Sequence, residues 1–131
     1  MPVLLTARER AHLKARAHSL EPIVQIGHEG VSDAVIREID RVTGKGRTYI
    51  TFDIDGLDAA YAMGTGVPEV GGFSVRDAQM MIRSLQGKHL VGGDICEVAP
   101  VFDPTGQTAL NAANLLFEML CVIADSRASR S

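Results

Sequence analysis

Thr51-Phe52-Asp53-Ile54-Asp55-Gly56-Leu57-Asp58, followed by Gly64-Thr65-Gly66-Val67-Pro68-Glu69-Val70-Gly71-Gly72, is the stretch on which the reading of this chain turns. Tyr49 to Ile54 is a β-branched and aromatic run, which predicts a buried strand that ends in aspartates and breaks into a glycine-rich loop. Strand alternation sends Asp53 and Asp55 to one face and Phe52 and Ile54 to the other. Two carboxylates held side by side repel unless a proton or a cation intervenes, so the pair points to a divalent metal. The competing reading is plainer: acids at a strand end that are solvated turn residues.

Working outward, Ser32 opens a helix carrying Val35, Ile36 and Ile39, and Gly44 and Gly46 mark its end. On the other side, Ser74-Val75-Arg76-Asp77 has the polar start of a helix with Val75, Ala78, Ile82 and Leu85 on its buried face, closed by Gly87. A strand from Leu90 to Val98 follows, then a turn at 103–106 and a last helix. That helix is apolar almost all round, with Asn111, Asn114 and Glu118 as its one polar stripe, so a sheet or another chain should cover it. The order helix, strand, helix, strand, helix, strand, helix predicts an α/β fold with a mostly parallel sheet and flanking helices.

The aspartate strand, the Gly-Thr-Gly-x-Pro-Glu-x-Gly-Gly loop, the strand Leu90 to Pro100 and the helix start Thr108-Ala109-Leu110-Asn111 resemble the ureohydrolase family of agmatinases and arginases, over about 41–131. The resemblance implies a partial α/β/α layer fold and manganese-dependent hydrolysis of a guanidino compound such as agmatine to urea and an amine. It implies two Mn2+ per site, with Asp53 and Asp55 as ligands, Glu97 on the substrate guanidinium, and Asp58 and Thr65 lining the site. For Glu97 the plain alternative is a charged residue at a strand end. The family's upstream Gly-Gly-Asp-His and Asp-Ala-His-x-Asp segments are absent, so the segment is expected to be incomplete or inactive alone, working as a homo-oligomer or with a complementing chain.

The beginning of the chain has another character. Thr6-Ala7-Arg8-Glu9 has capping-box form, and a basic helix, a short strand at Ile23 to Ile26 and the turn Gly27-His28-Glu29-Gly30 follow. Residues 3–40 resemble the first half of a YhbY-type, or CRM, RNA-binding domain. That resemblance implies RNA contact through Arg8, Lys14, Arg16, Gly27, His28 and Gly30, in a ribosome-associated module. A basic helix that is a solvated face is the bland reading, and Glu29 in the turn would repel phosphate.

Composition draws the same line. Residues 1–47 hold eight Lys or Arg against six Asp or Glu, while 48–131 hold five against ten. Two segments are therefore expected, 1–43 and 44–131. At 131 residues and net charge -3, the chain suits one modest core and does not look like a nucleic-acid binder as a whole. Cys96 and Cys121 show no paired spacing and are expected as buried free thiols. The apolar run 109–124 is interrupted by polar residues, so a cytoplasmic, non-membrane location is expected. Three functions stay open: a ureohydrolase segment, an RNA-binding module, and a recombined chain with neither activity.

Overall fold

The computed structural model describes residues 31–130, together with Thr6, Ala7, Arg8, Ala11, His12 and Ala15. Helix α1 (Asp33–Thr43) begins where the Ser32 hydroxyl accepts the Val35 amide at 3.4 Å, and it ends at Gly44, whose φ of 53° suits a residue without Cβ. Strand β1 (Arg47–Asp53) follows. After a long loop comes α2 (Val75–Arg83), opened by a reciprocal cap: the Asp77 amide donates to Ser74 Oγ (3.1 Å) and the Ser74 amide to Asp77 Oδ2 (3.0 Å). Strand β2 (His89–Cys96) and the 22-residue helix α3 (Gln107–Ala128) complete the order.

The two strands pair in parallel, from Arg47 beside His89 to Asp53 beside Cys96, with one irregularity between Thr48 and Tyr49. Parallel pairing needs a crossover, and the loop with α2 supplies it. Both strands end earlier than their apolar patterns predict. Asp53 accepts the Asp55 amide at 2.9 Å, which turns the chain into a single 3-10 turn over Ile54–Gly56, so Ile54 leaves the strand. At the other strand, Glu97 takes a left-handed φ of 63° and the ladder stops at Cys96.

One core joins these elements: Ile50, Ile54 and Leu57 from around β1, Ala78 and Ile82 from α2, Leu90 from β2, and Leu115, Met119 and Val122 from α3. The polar stripe of α3 meets its neighbours directly. Asn111 donates to the Tyr61 carbonyl (2.8 Å), Asn114 accepts from Gln79 (2.7 Å), and Glu118 accepts from Arg83 Nε (2.8 Å). By length and composition α3 could cross a membrane, yet its inner face is part of this core. Helix α1 sits ahead of the expected boundary at 43/44, but Ile39 packs on the same core and Lys88 Nζ reaches Asp40 Oδ1 at 2.5 Å. The expectation of buried thiols is corrected: Cys96, at the end of β2, and Cys121, on the outer side of α3, are both free and exposed.

The glycine-rich loop is stitched to the rest of the molecule. The Phe73 amide donates to the Gly56 carbonyl (2.9 Å), Asp58 to Phe73 (2.8 Å) and Ala59 to Glu69 (2.7 Å). Farther along, the Gly64 amide donates to Thr108 Oγ1 (2.9 Å), and Asp103 accepts the Thr108 and Ala109 amides, capping α3 where Gly106 offers no side chain. A Cβ on Gly64 would lie 2.4 Å from Asp103 Cβ. Gly64→Ala is therefore expected to lower the unfolding free energy by about 1 to 3 kcal/mol in urea titrations. An unchanged midpoint would mean that the loop does not depend on its seat against α3.

Candidate active site

The carboxyl ends of β1 and β2 lie side by side, the edge of an open α/β sheet where ligands commonly bind. Asp53 closes β1 beside Cys96, and Glu97 is the next residue after β2. Asp55 projects from the 3-10 turn. Strand alternation is thus not what aims it; the bond from its own amide to Asp53 Oδ1 does. Its carboxyl is held above the usual carboxylate range, first by burial, then by the charges of Asp53 and Glu97. Asp55 therefore stands within reach of the fields of Asp53 and Glu97, two of the other acids named from the resemblance.

Two buried side-chain polar atoms lack any hydrogen-bond partner among the described residues: Asp55 Oδ1 and Thr65 Oγ1. Both belong to the motif read from the sequence. Thr65 is only 2% exposed and borders an open depression lined by Met63, Gly66, Pro68 and Phe102. Leaving such an atom unpaired costs about 1 to 3 kcal/mol, so both ask for a group outside the described residues.

The acids suit a hard divalent ion such as manganese, which prefers carboxylate oxygens. The fit is partial. Among the described residues no group of three His, Cys, Asp or Glu side chains could hold a metal ion. Asp53 and Asp55 offer carboxylate oxygens of the right kind, but the pair alone cannot enclose two ions.

Asp58 fastens the loop that follows it. Its Oδ1 accepts the Ala60 amide (2.8 Å) and its Oδ2 the Gly71 amide (2.7 Å), so both oxygens fasten the loop. Those amides, Ala60 first and Gly71 second, hold its carboxyl below the usual range. A lowered folded-state pKa gives stability that is present above the unfolded value and lost as pH falls through the folded one. Asp58→Asn is expected to flatten the acid limb of a melting-temperature profile; a limb identical to that of the unmodified chain would contradict this assignment.

Sequence reasoning missed two acids. Asp94 lies opposite Thr51 and accepts from Tyr49 Oη (2.8 Å) and Thr51 Oγ1 (2.7 Å) on the outer sheet face. The available signal was an acid inside an apolar strand, facing polar residues two apart on its neighbour. Asp103 gave no such signal, because its partners are backbone amides of the following helix. Of the residues named for RNA contact, Arg8 is helical and exposed, while Lys14, Arg16, Gly27, His28 and Gly30 lie outside the described residues.

Comparison with known proteins places this geometry. The arginase family model matches residues 5–121. The guanidinopropionase of Pseudomonas aeruginosa is 47% identical over 113 residues, covering 86% of this chain and 34% of that protein. The mitochondrial agmatinase of Gallus gallus is 55% identical over 86 residues, covering 66% of this chain and 25% of its own length. Among solved structures, a hypothetical agmatinase from Burkholderia thailandensis superposes with a TM-score of 0.72 at 40% identity, covering 78% of this chain and 33% of that one. Proclavaminate amidino hydrolase from Streptomyces clavuligerus covers 93% of this chain with a TM-score of 0.68 at 29% identity. The chain spans about a third or less of the curated relatives it matches. The family match begins at residue 5 and takes in the stretch that resembles the YhbY-type opening, and the comparisons lend RNA binding no support. With the family model matched over residues 5–121, from ahead of the first described strand into the last helix, this chain belongs to the arginase family.

Proposed function

We propose that the chain is the part of a guanidino-compound ureohydrolase that supplies two metal carboxylates and the guanidinium-binding glutamate, with the remaining ligands coming from outside the described residues. The observation that carries this reading is the buried, unpartnered Asp55 Oδ1 beside Asp53 and Glu97 at the carboxyl ends of two parallel strands. In this proposal Asp53 and Asp55 hold manganese, which supplies the Lewis acidity that makes water nucleophilic near neutral pH. Glu97 pairs with the planar guanidinium fork and orients its central carbon. The Thr65 hydroxyl offers the substrate one further hydrogen bond, and Asp58 keeps the loop that carries Thr65 in place. The substrate is a guanidino compound of the agmatine or guanidino-acid type, and the products are urea and an amine.

The test is complementation. The chain is co-expressed with the part of the Pseudomonas guanidinopropionase that lies outside the match, and urea release from guanidinopropionate, guanidinobutyrate and agmatine is followed with and without manganese. Manganese-dependent release that disappears in Glu97→Gln supports the proposal. A complex that binds manganese and releases urea from none of the three would leave a chain that keeps the fold without the activity.

A further inference from the structure

The open depression beside Thr65 has a volume of about 400 Å³, within the range of small-molecule sites, roughly 300 to 1,000 Å³. The chain ties it to Glu97. Two residues beyond that glutamate the Ala99 amide donates to the Gly64 carbonyl at 2.8 Å, and the 3-10 turn Pro100–Phe102 then brings Phe102 to the wall. Thr65 follows Gly64 from the loop side, 2% exposed, with its hydroxyl oxygen unpartnered among the described residues. Apart from that threonine the wall is Met63, Gly66, Pro68 and Phe102, with no charged side chain. Asp103, next to Phe102, has both oxygens committed to the Thr108 and Ala109 amides. Met63 and Phe102 are 59% and 57% exposed, so apolar surface stands open beside a buried polar atom that lacks a partner.

Resting on the guanidino-hydrolase reading above, we propose that this depression holds the carbon stem of the substrate, and that Met63 and Phe102 select substrates by that stem. The combination suits such a ligand. The Thr65 hydroxyl, donor and acceptor alike, takes the N–H of the nitrogen that carries the stem. Apolar walls gain by covering methylenes. An uncharged wall gives a terminal carboxylate or ammonium nothing in exchange for its hydration, so that end stays in water at the open mouth. The rival occupant is more protein, because the chain spans about a third of its relatives. A charge placed at position 63 separates the two: it would meet the far end of a bound substrate, but it would break the packing of a protein segment seated there.

The complemented assembly is assayed with methylguanidine, which has almost no stem, and with guanidinobutyrate and agmatine, whose stems end in opposite charges. Phe102→Ala is expected to raise KM for both long substrates about tenfold, in KM rather than kcat, and to raise that for methylguanidine less. Met63→Lys is expected to raise the guanidinobutyrate-to-agmatine ratio of kcat/KM about tenfold over the unmodified assembly, and Met63→Glu to lower it by about as much. Circular dichroism melts and size-exclusion chromatography check that each variant folds and assembles. Variants at position 63 that fold and no longer assemble place protein in the depression and overturn the proposal. So does a ratio that stays constant, or moves the same way in both variants, while the long substrates are still hydrolysed, or an equal rise in KM for methylguanidine in Phe102→Ala. Urea from none of the three substrates in the unmodified assembly overturns the underlying reading instead, and this proposal with it.

Discussion

Glu97→Gly is expected to stabilise the protein and abolish its share of catalysis. Glu97 is the one described residue other than glycine with a positive φ, 63°. An L-residue in that conformation costs about 1 to 2 kcal/mol, and glycine adopts it freely at a price of about 0.4 to 1 kcal/mol in unfolded-chain entropy. The net gain is therefore expected to be about 1 kcal/mol in urea unfolding. Removing the carboxylate also removes repulsion on Asp55, in the same direction. In the complemented assay the same change deletes the charge proposed to face the guanidinium, and loss of one partner of such a pair is expected to lower kcat/KM by about 10² to 10³. Glu97→Ala separates the two effects: it should lose the activity equally while keeping the strain. Should Glu97→Gly and Glu97→Ala unfold at the same midpoint, the strain at this position is not stored for function.

The parts of this site that were legible in the sequence are those set by periodicity. The apolar run of β1, the polar start of α2 and the stripe Asn111, Asn114, Glu118 on α3 each depend on local spacing, and each leads to an observed element or contact. The turn that aims Asp55 depends on a side-chain bond from Asp53 to the chain two residues on, which competes with strand pairing and leaves no period. The left-handed Glu97 was hidden for a related reason: where glycine would announce such a backbone, glutamate conceals it. Asp58 shows the opposite case, an acid in a recognisable motif whose oxygens are both committed to the amides of Ala60 and Gly71. Only pairing across 13 residues of loop could reveal that, and nothing in the spacing encodes it.

Manganese is expected to reverse the sign of the protein's pH dependence around Asp55. Without metal, the folded-state pKa of Asp55 is raised by burial and by the charges of Asp53 and Glu97, so the folded chain binds the proton more tightly than the unfolded one. Stability then falls as pH rises from the ordinary aspartate range through the raised folded value. A divalent ion binds only the carboxylate, so its affinity grows over that same interval as the proton leaves. At about one hundred times its dissociation constant the ion adds about 2.7 kcal/mol, or about 5 °C of melting temperature for a complemented protein roughly three times the length of this chain. The complemented protein is therefore expected to melt higher with manganese near neutral pH and to lose that increment on acidification. Asp53→Asn keeps an oxygen to accept the Asp55 amide but not the charge, and Asp55→Asn removes the carboxylate whose Oδ1 is buried. The double variant should show no manganese increment, no retained manganese by mass spectrometry, and an apo melting temperature that no longer falls across this pH interval. Retention of the full increment in the double variant would place the ion elsewhere and separate the paired acids from the metal.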